Sequence, residues 1–288
     1  MFTKAIVRPP APNFYEGLTT ADLSVPDYDL ALTQHEAYCL ALERCGLTLT
    51  KLGPDPDHPD STFVEDTAIL VGALNDDKSL GVRHDDVESQ THPLTQVVLT
   101  KPQAVLTRPG APSRHGEVDS MRTVLADLFP SLSEIHSPGM LDGGDVCQAG
   151  DHFFIGVSER TNEAGARQLA QLLTPSGYSS SFVNIRGLND ILHLKSGIAY
   201  LGDNRLVVID ALDARIDRAE FSRYDLVRVN NDETYAANCV RINDRVLLAA
   251  GYPVLEGRLR TLGYQTIALD MSEFQKMDGG LSCLSLRF

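Results

Sequence analysis

The sequence predicts an α/β fold. Short apolar runs of strand length alternate with helical patterns along all 288 residues. Many of these runs arrive in close pairs, such as 146–149 and 153–157 on either side of Gly150-Asp151. The rhythm is not the strict strand–helix–strand alternation of a doubly wound sheet. It reads as several strand-rich modules with one helix each, although no repeat is visible at the level of residues.

In chain order, the strand candidates are 4–7, 63–71, 104–107, 146–157 as a pair, 197–201, 205–209, 226–229, 239–249, 266–269 and 281–286. The span 29–45 reads as a helix, with apolar Leu30, Leu32, Tyr38, Leu40 and Leu42 and a stop at Gly46. Spans 117–129 and 161–173 read the same way, and 255–262 is a shorter helix ended by Gly263. Residues 75–103 begin polar and turn-rich and are read as an excursion between two strands or an added hairpin, a surface insertion without catalytic duty. With no linker elsewhere, 1–288 is expected to be one catalytic domain.

Composition narrows the class. A chain with 43% hydrophobic and 22% charged residues is an ordinary soluble globular protein. Its net charge of -14 repels phosphate backbones, so nucleic acid is excluded as a partner, whereas a small cation is not. The five cysteines, Cys39, Cys45, Cys147, Cys239 and Cys283, are odd in number, scattered, and form no CxxC pair. A disulfide framework and a zinc site are therefore not expected. No run approaches the length of a membrane span, and the first residues lack an apolar leader. The expected compartment is the cytoplasm, with no membrane partner.

Six motifs could carry chemistry. Glu65 and Asp66 open an apolar run behind Asp60; on a strand they would face opposite sides, one inward or along a pocket rim, or else form an exposed strand end. The stiff turn Arg108-Pro-Gly-Ala-Pro-Ser-Arg114 presents Arg114 as a candidate for bidentate carboxylate contact, or as a solvated side chain. In Leu141-Asp-Gly-Gly-Asp-Val146, two glycines allow a backbone closed to other residues, without calcium-loop spacing. Arg160 sits between a strand and a helix. His193 alternates with leucines and could be a base or a satisfied core histidine. Cys283 stands behind the Gly279-Gly280 turn as a nucleophile or as packing. A separated Cys and His with carboxylates form the inventory of a thiol-dependent enzyme.

Taken in order, the words PDSTFVED, TRPGAPSR, LDGGDV, FFIGVSERTN, LHLKSG, YAANC and MDGGLSC resemble the dimethylarginine dimethylaminohydrolase family of the guanidino-modifying, or pentein, superfamily. The resemblance runs from about residue 5 to residue 288 and implies a five-bladed α/β propeller with pseudo-fivefold symmetry. By matching motif, it implies Cys283 as nucleophile, His193 as general acid/base and Asp142 as the carboxylate supporting the histidine. Glu65 and Asp66 match acids that bind the guanidinium and substrate backbone, and Asp60 a residue near the α-amine. Arg114 and Arg160 match the α-carboxylate clamp, Leu18 a lid residue, and Met277 a backbone contact. The implied substrate is a small guanidino amino acid, with no cofactor and no metal; a homodimer is an allowed assembly.

Arginine deiminases carry an Asp two residues after this histidine, where this chain has Lys195. The change favours N-alkylated substrates over arginine. Deimination of another guanidino compound, such as arginine or agmatine, and a non-catalytic binding protein on the same scaffold are the alternatives.

Overall fold

The computed structural model describes residues 1–72, 102–188 and 190–288. The expected insertion at 75–103 lies outside the described residues except at its end, where Gln103 already belongs to a strand. Among the described residues, fifteen strands form five three-stranded sheets built on one plan. In the first sheet β1 (Lys4–Val7) is followed by α1 (Tyr28–Arg44), and β2 (Thr48–Lys51) returns parallel beside β1.

In the second sheet, β3 (Ala68–Val71) and β4 (Gln103–Leu106) pair antiparallel; α2 (Glu117–Leu128) then leads to β5 (Ser131–Glu134), parallel to β4. The same order recurs in β6 (Val146–Ala149), β7 (His152–Val157), α3 (Glu163–Leu173) and β8 (Ser179–Asn184). It recurs again in β9 (Ile198–Tyr200), β10 (Arg205–Ile209), the short helices α4 (Asp210–Asp213) and α5 (Arg218–Phe221), and β11 (Asp225–Val229). The last full copy is β12 (Val240–Ile242), β13 (Arg245–Ala249), α6 (Pro253–Thr261) and β14 (Gln265–Leu269).

The first sheet lacks its own antiparallel strand at the N-terminus. After α7 (Ser272–Gln275), the C-terminal β15 (Leu286–Arg287) supplies it, with Ala5 opposite Arg287 and Ile6 opposite Leu286. The two ends of the chain thus close one blade, and the expected five-bladed α/β propeller is the architecture observed.

Both faces of each inner strand are buried, which explains why the strands read as apolar runs rather than alternating ones. Ala5 and Val7 pack towards the last sheet with Val240 and Leu247, while Ile6 packs towards the second sheet with Ala68 and Leu106. Phe153 and Ile155 meet Ile69 and Val105 on one side, and Phe154 joins the core shared with β9 and β10 on the other. The core is therefore a set of seams between blades. Helix starts are capped as the sequence allows: Asp27 accepts from Leu30 N at 2.9 Å, and Asn162 from Gly165 N at 2.8 Å.

Two expected strands are shorter than read, and the difference matters for the site. Only Ala68–Val71 of 63–71 is strand, because Val64–Thr67 coils into a 3-10 turn. Of 281–286 only Leu286 is strand, continuing into Arg287, and Ser282–Leu284 is again a 3-10 turn. No described helix is long and apolar enough to cross a membrane.

Candidate active site

The functional motifs sit at these turns. A 3-10 turn precedes the first antiparallel strand of every sheet: Val64–Thr67, Gly143–Asp145, Leu194–Ser196, Asn231–Ala237 and Ser282–Leu284. Neighbouring turns pack against one another around the axis. The ring is completed where Asn238 accepts from Ser282 N at 2.9 Å and donates to Ser282 Oγ at 3.2 Å. Asp66, Asp142, His193 and Cys283 each lie in or beside a different turn, so the pseudo-symmetry itself gathers them.

Asp66, His193 and Cys283 line a cleft of about 320 Å³, its open mouth included, with Leu18, Asp60, Phe63, Arg114, Arg160, Leu192, Met277, Asp278 and Gly279. Two expected site residues are not on its wall: Asp142, buried behind His193, and Glu65. The turn sends its carboxylate behind Cys283, where it accepts from Ser282 Oγ at 2.7 Å and pairs with Lys195 Nζ at 2.6 Å and Arg287 Nη2 at 3.4 Å. The opposite facing of Glu65 and Asp66 expected from a strand is thus produced by a 3-10 turn.

His193 Nε2 lies 3.0 Å from Asp142 Oδ2, and Asp142 is held in turn by Gly110 N at 2.7 Å on its other oxygen. Asp66 Oδ1 accepts from Gly144 N at 2.8 Å and Oδ2 from Arg114 Nη1 at 2.6 Å. The diglycine here serves close approach rather than unusual dihedrals. A Cβ on Gly144 would lie 2.8 Å from His193 Nδ1 and 2.9 Å from Asp66 Oδ1, and one on Gly143 would lie 2.0 Å from Glu65 O. In the matching Met277–Gly280 turn the left-handed residue is Asp278, with φ of 56°, and not a glycine.

Arg114 is buried and its fork is largely occupied within the chain. Nε and Nη2 grip Glu117 at 2.9 and 2.7 Å, Nη1 reaches Asp66, and Nη2 also meets Phe63 O at 3.2 Å. The bidentate carboxylate contact expected of this loop is made to Glu117. Arg160 is the freer cation, 4.0 Å from Asp142 Oδ2 and on the cleft wall. Asp60 receives Leu18 N on both oxygens, at 3.0 and 3.1 Å. Thr20 N and Oγ1 donate to Asp278 Oδ2 at 2.5 and 2.9 Å, tying the Leu18 segment to the turn before Cys283.

These contacts set the electrostatics. Burial works against charge on His193, but the carboxylates of Asp66, Asp142 and Asp145 overcome it and raise the imidazole to about 9. Asp66 is brought down to about 2 in spite of its burial, by His193, Arg114 and the Gly144 N–H. Burial, followed by the nearby charges of Glu65 and Asp66, pushes the Cys283 thiol up to about 12. The resting centre thus holds an imidazolium and a protonated thiol. Asp66, Asp142 and His193 bring ligand atoms within 4.8 Å of one another. Asp66 is engaged by Arg114 and Gly144, and Asp142 by His193 and Gly110, so the two carboxylates belong to one hydrogen-bonded network.

Sequence reading left several residues here without a role. Phe63 and Leu192 stood inside quoted motifs, but nothing in their spacing marked them as cleft walls. Glu117 had one signal, its place three residues after Arg114 on a helix start. Asn238 and Ser282 had none beyond lying in matched words.

The comparisons with known proteins agree on family and fold. The arginine deiminase family model matches residues 105–232. N(G),N(G)-dimethylarginine dimethylaminohydrolase of Pseudomonas aeruginosa is 40% identical over 289 residues, covering 100% of both chains. The protein of that name from Streptomyces coelicolor is 34% identical, covering 99% of this chain and 96% of its own. The solved structure of the Pseudomonas aeruginosa enzyme as a cysteine-to-serine variant, complexed with citrulline, superposes with a TM-score of 0.85 at 38% identity, covering 100% of both chains. Fold, motif order and full-length similarity agree: this chain belongs to the dimethylarginine dimethylaminohydrolase family.

Proposed function

We propose that this protein hydrolyses N-methylated arginines, asymmetric dimethylarginine and monomethylarginine, to citrulline and the corresponding alkylamine. The observation that carries the reading is the placing of Cys283 and His193 on one cleft with Asp66 and Arg160, the imidazole backed by Asp142.

A guanidinium carbon is a weak electrophile because resonance spreads its charge, so it must be held and met by a thiolate. Asp66 holds guanidinium N–H groups through charge-assisted bonds. Arg160 takes the α-carboxylate and Asp60 faces the α-amine. The cation next to Cys283 lowers the thiol from its raised resting value, and the thiol proton passes to solvent water, since His193 already carries its own. Sulfur adds to the guanidinium carbon; imidazolium His193 protonates the alkyl-bearing nitrogen, and the C–N bond breaks to release the amine. The remaining thiouronium is attacked by water, which His193 now deprotonates. Water supplies the oxygen of citrulline, sulfur leaves as the leaving group, and no electrons are transferred.

Lys195 supports methylated over plain arginine. Its ammonium is committed to Glu65, and an aspartate in its place would face that carboxylate and could turn towards a terminal NH₂ instead. The test is citrulline and amine release from arginine, monomethylarginine and asymmetric dimethylarginine, with Cys283→Ser and His193→Ala as controls. Comparable kcat/KM on arginine sinks the substrate assignment. Near-normal activity in Cys283→Ser sinks the nucleophile.

A further inference from the structure

Asp145, the second aspartate of the diglycine motif, takes no part in the steps above, yet it is fully buried and saturated with bonds to the site's supports. Its Oδ1 accepts from Leu194 N at 2.9 Å, the residue directly after His193. Oδ2 accepts from Ser158 Oγ at 2.6 Å. That hydroxyl accepts Arg160 N and Thr161 N, each at 3.0 Å, and Thr161 Oγ1 accepts Asp142 N at 3.1 Å. Gly156 on β7 makes room for the carboxylate, since a Cβ there would lie 2.8 Å from Asp145 Oδ1.

We propose that Asp145 is a positioning residue for the reaction: one buried carboxylate ties together the turn bearing His193, the loop bearing Arg160 and, through Thr161, the backbone bearing Asp142. The assignment rests on the methylarginine-hydrolase reading of the site.

A carboxylate is needed at this point, and an amide does not replace it. Ser158 Oγ already accepts two N–H groups, so its own proton must go to an acceptor. Asparagine offers one oxygen for two donors. If it turns that oxygen to Leu194 N, its NH₂ meets a hydroxyl already full of donors, and the Arg160 loop shifts. Asp145 also adds negative charge beside His193, together with Asp66 and Asp142, while Arg114 and Arg160 are the cations on the same cleft. Losing one of three carboxylates lets the imidazole give up its proton more easily.

Citrulline formation by the unsubstituted protein is measured first, and its absence refutes the activity itself. Asp145→Asn is then expected to lower kcat/KM about 10²-fold, the size of effect that slight misplacement of a reacting group can have. The rising limb of its pH profile should also move to lower pH. Ser158→Ala removes the arms to Arg160 and Thr161 and keeps the one to Leu194, so KM should rise about tenfold, kcat should fall less than in Asp145→Asn, and the limb should stay in place. An Asp145→Asn enzyme with normal kcat, KM and pH dependence, or with a lowered melting temperature alone, overturns the role. If Asp145→Asn has no cooperative thermal transition, Ser158→Ala and Thr161→Val decide. An unchanged KM in the first together with an unchanged kcat in the second overturns the role as well.

Discussion

The hydroxyl of Ser282 donates to Glu65 Oε2 at 2.7 Å across 217 positions of sequence, so the residue before Cys283 is tethered to a carboxylate from another blade. Lys195 and Arg287 neutralise that carboxylate. Glu65→Gln leaves both cations short of a partner. A loss of about 2–4 kcal/mol in a urea melt is expected, at the lower end because Lys195 is partly exposed. Citrulline turnover should fall while KM changes little, because the tether acts on the turn that carries the sulfur. A Glu65→Gln enzyme with native kcat would separate Glu65 from the nucleophile.

The raised thiol makes Cys283 a slow target at rest. Neutral iodoacetamide should modify it poorly at pH 7, and the rate should climb about tenfold per pH unit through pH 9. A guanidinium ligand too small to block the sulfur should accelerate the reaction by stabilising the thiolate. Peptide mapping reads the site directly, since Cys39, Cys147 and Cys239 are buried and raised to about 11, 11 and 12. Fast alkylation of Cys283 at pH 6 would contradict this picture.

The pH–rate profile follows from the same two groups. At neutral pH the free enzyme holds both protons, on a thiol raised to about 12 and an imidazole raised to about 9. The attacking form has lost one of them, so kcat/KM should rise with pH from 7 and level near 9, where the first proton leaves the pair. Bound cation lowers the thiol, so the limb in kcat should sit at lower pH than the limb in kcat/KM. A kcat/KM that is flat between pH 6 and 9 would refute the assigned ionisation.

Arg160 and Arg114 should separate kinetically. Arg160→Ala removes a cleft-wall cation and should raise KM by one to two orders of magnitude, about 1.4–2.8 kcal/mol of binding, with kcat less affected. Arg114→Lys trades a planar fork for a point charge and cannot grip Glu117 while also reaching Asp66. It should lower both kcat and the melting temperature. If Arg114→Lys changes KM alone, Arg114 acts chiefly on substrate and its internal contacts matter little.

Asp278→Ala should release Thr20 and loosen the segment carrying Leu18. A severalfold rise in KM is expected, together with faster dissociation of citrulline in stopped-flow. Unchanged dissociation would show that this contact does not hold the segment over the cleft.

The sequence by itself determined the α/β class, the positions of the four main helices, and the motif residues that share the cleft. Periodic apolar positions and helix stops such as Gly46 and Gly263 are local signals, and seven separated words carried the rest. It could not show the fivefold repeat, because the blades share a topology and not residues. It also could not show that Glu65 and Asp66 part company at a 3-10 turn. That choice depends on Lys195, Arg287 and Ser282 arriving from elsewhere in the chain to stabilise Glu65 behind the site. Likewise only the tertiary structure decided that Arg114 is gripped by Glu117, that Asp145 joins three arms of the site, and that the diglycine gives room to His193. Each of these is a long-range contact between buried charges or close backbones, and such contacts leave no periodicity in the chain.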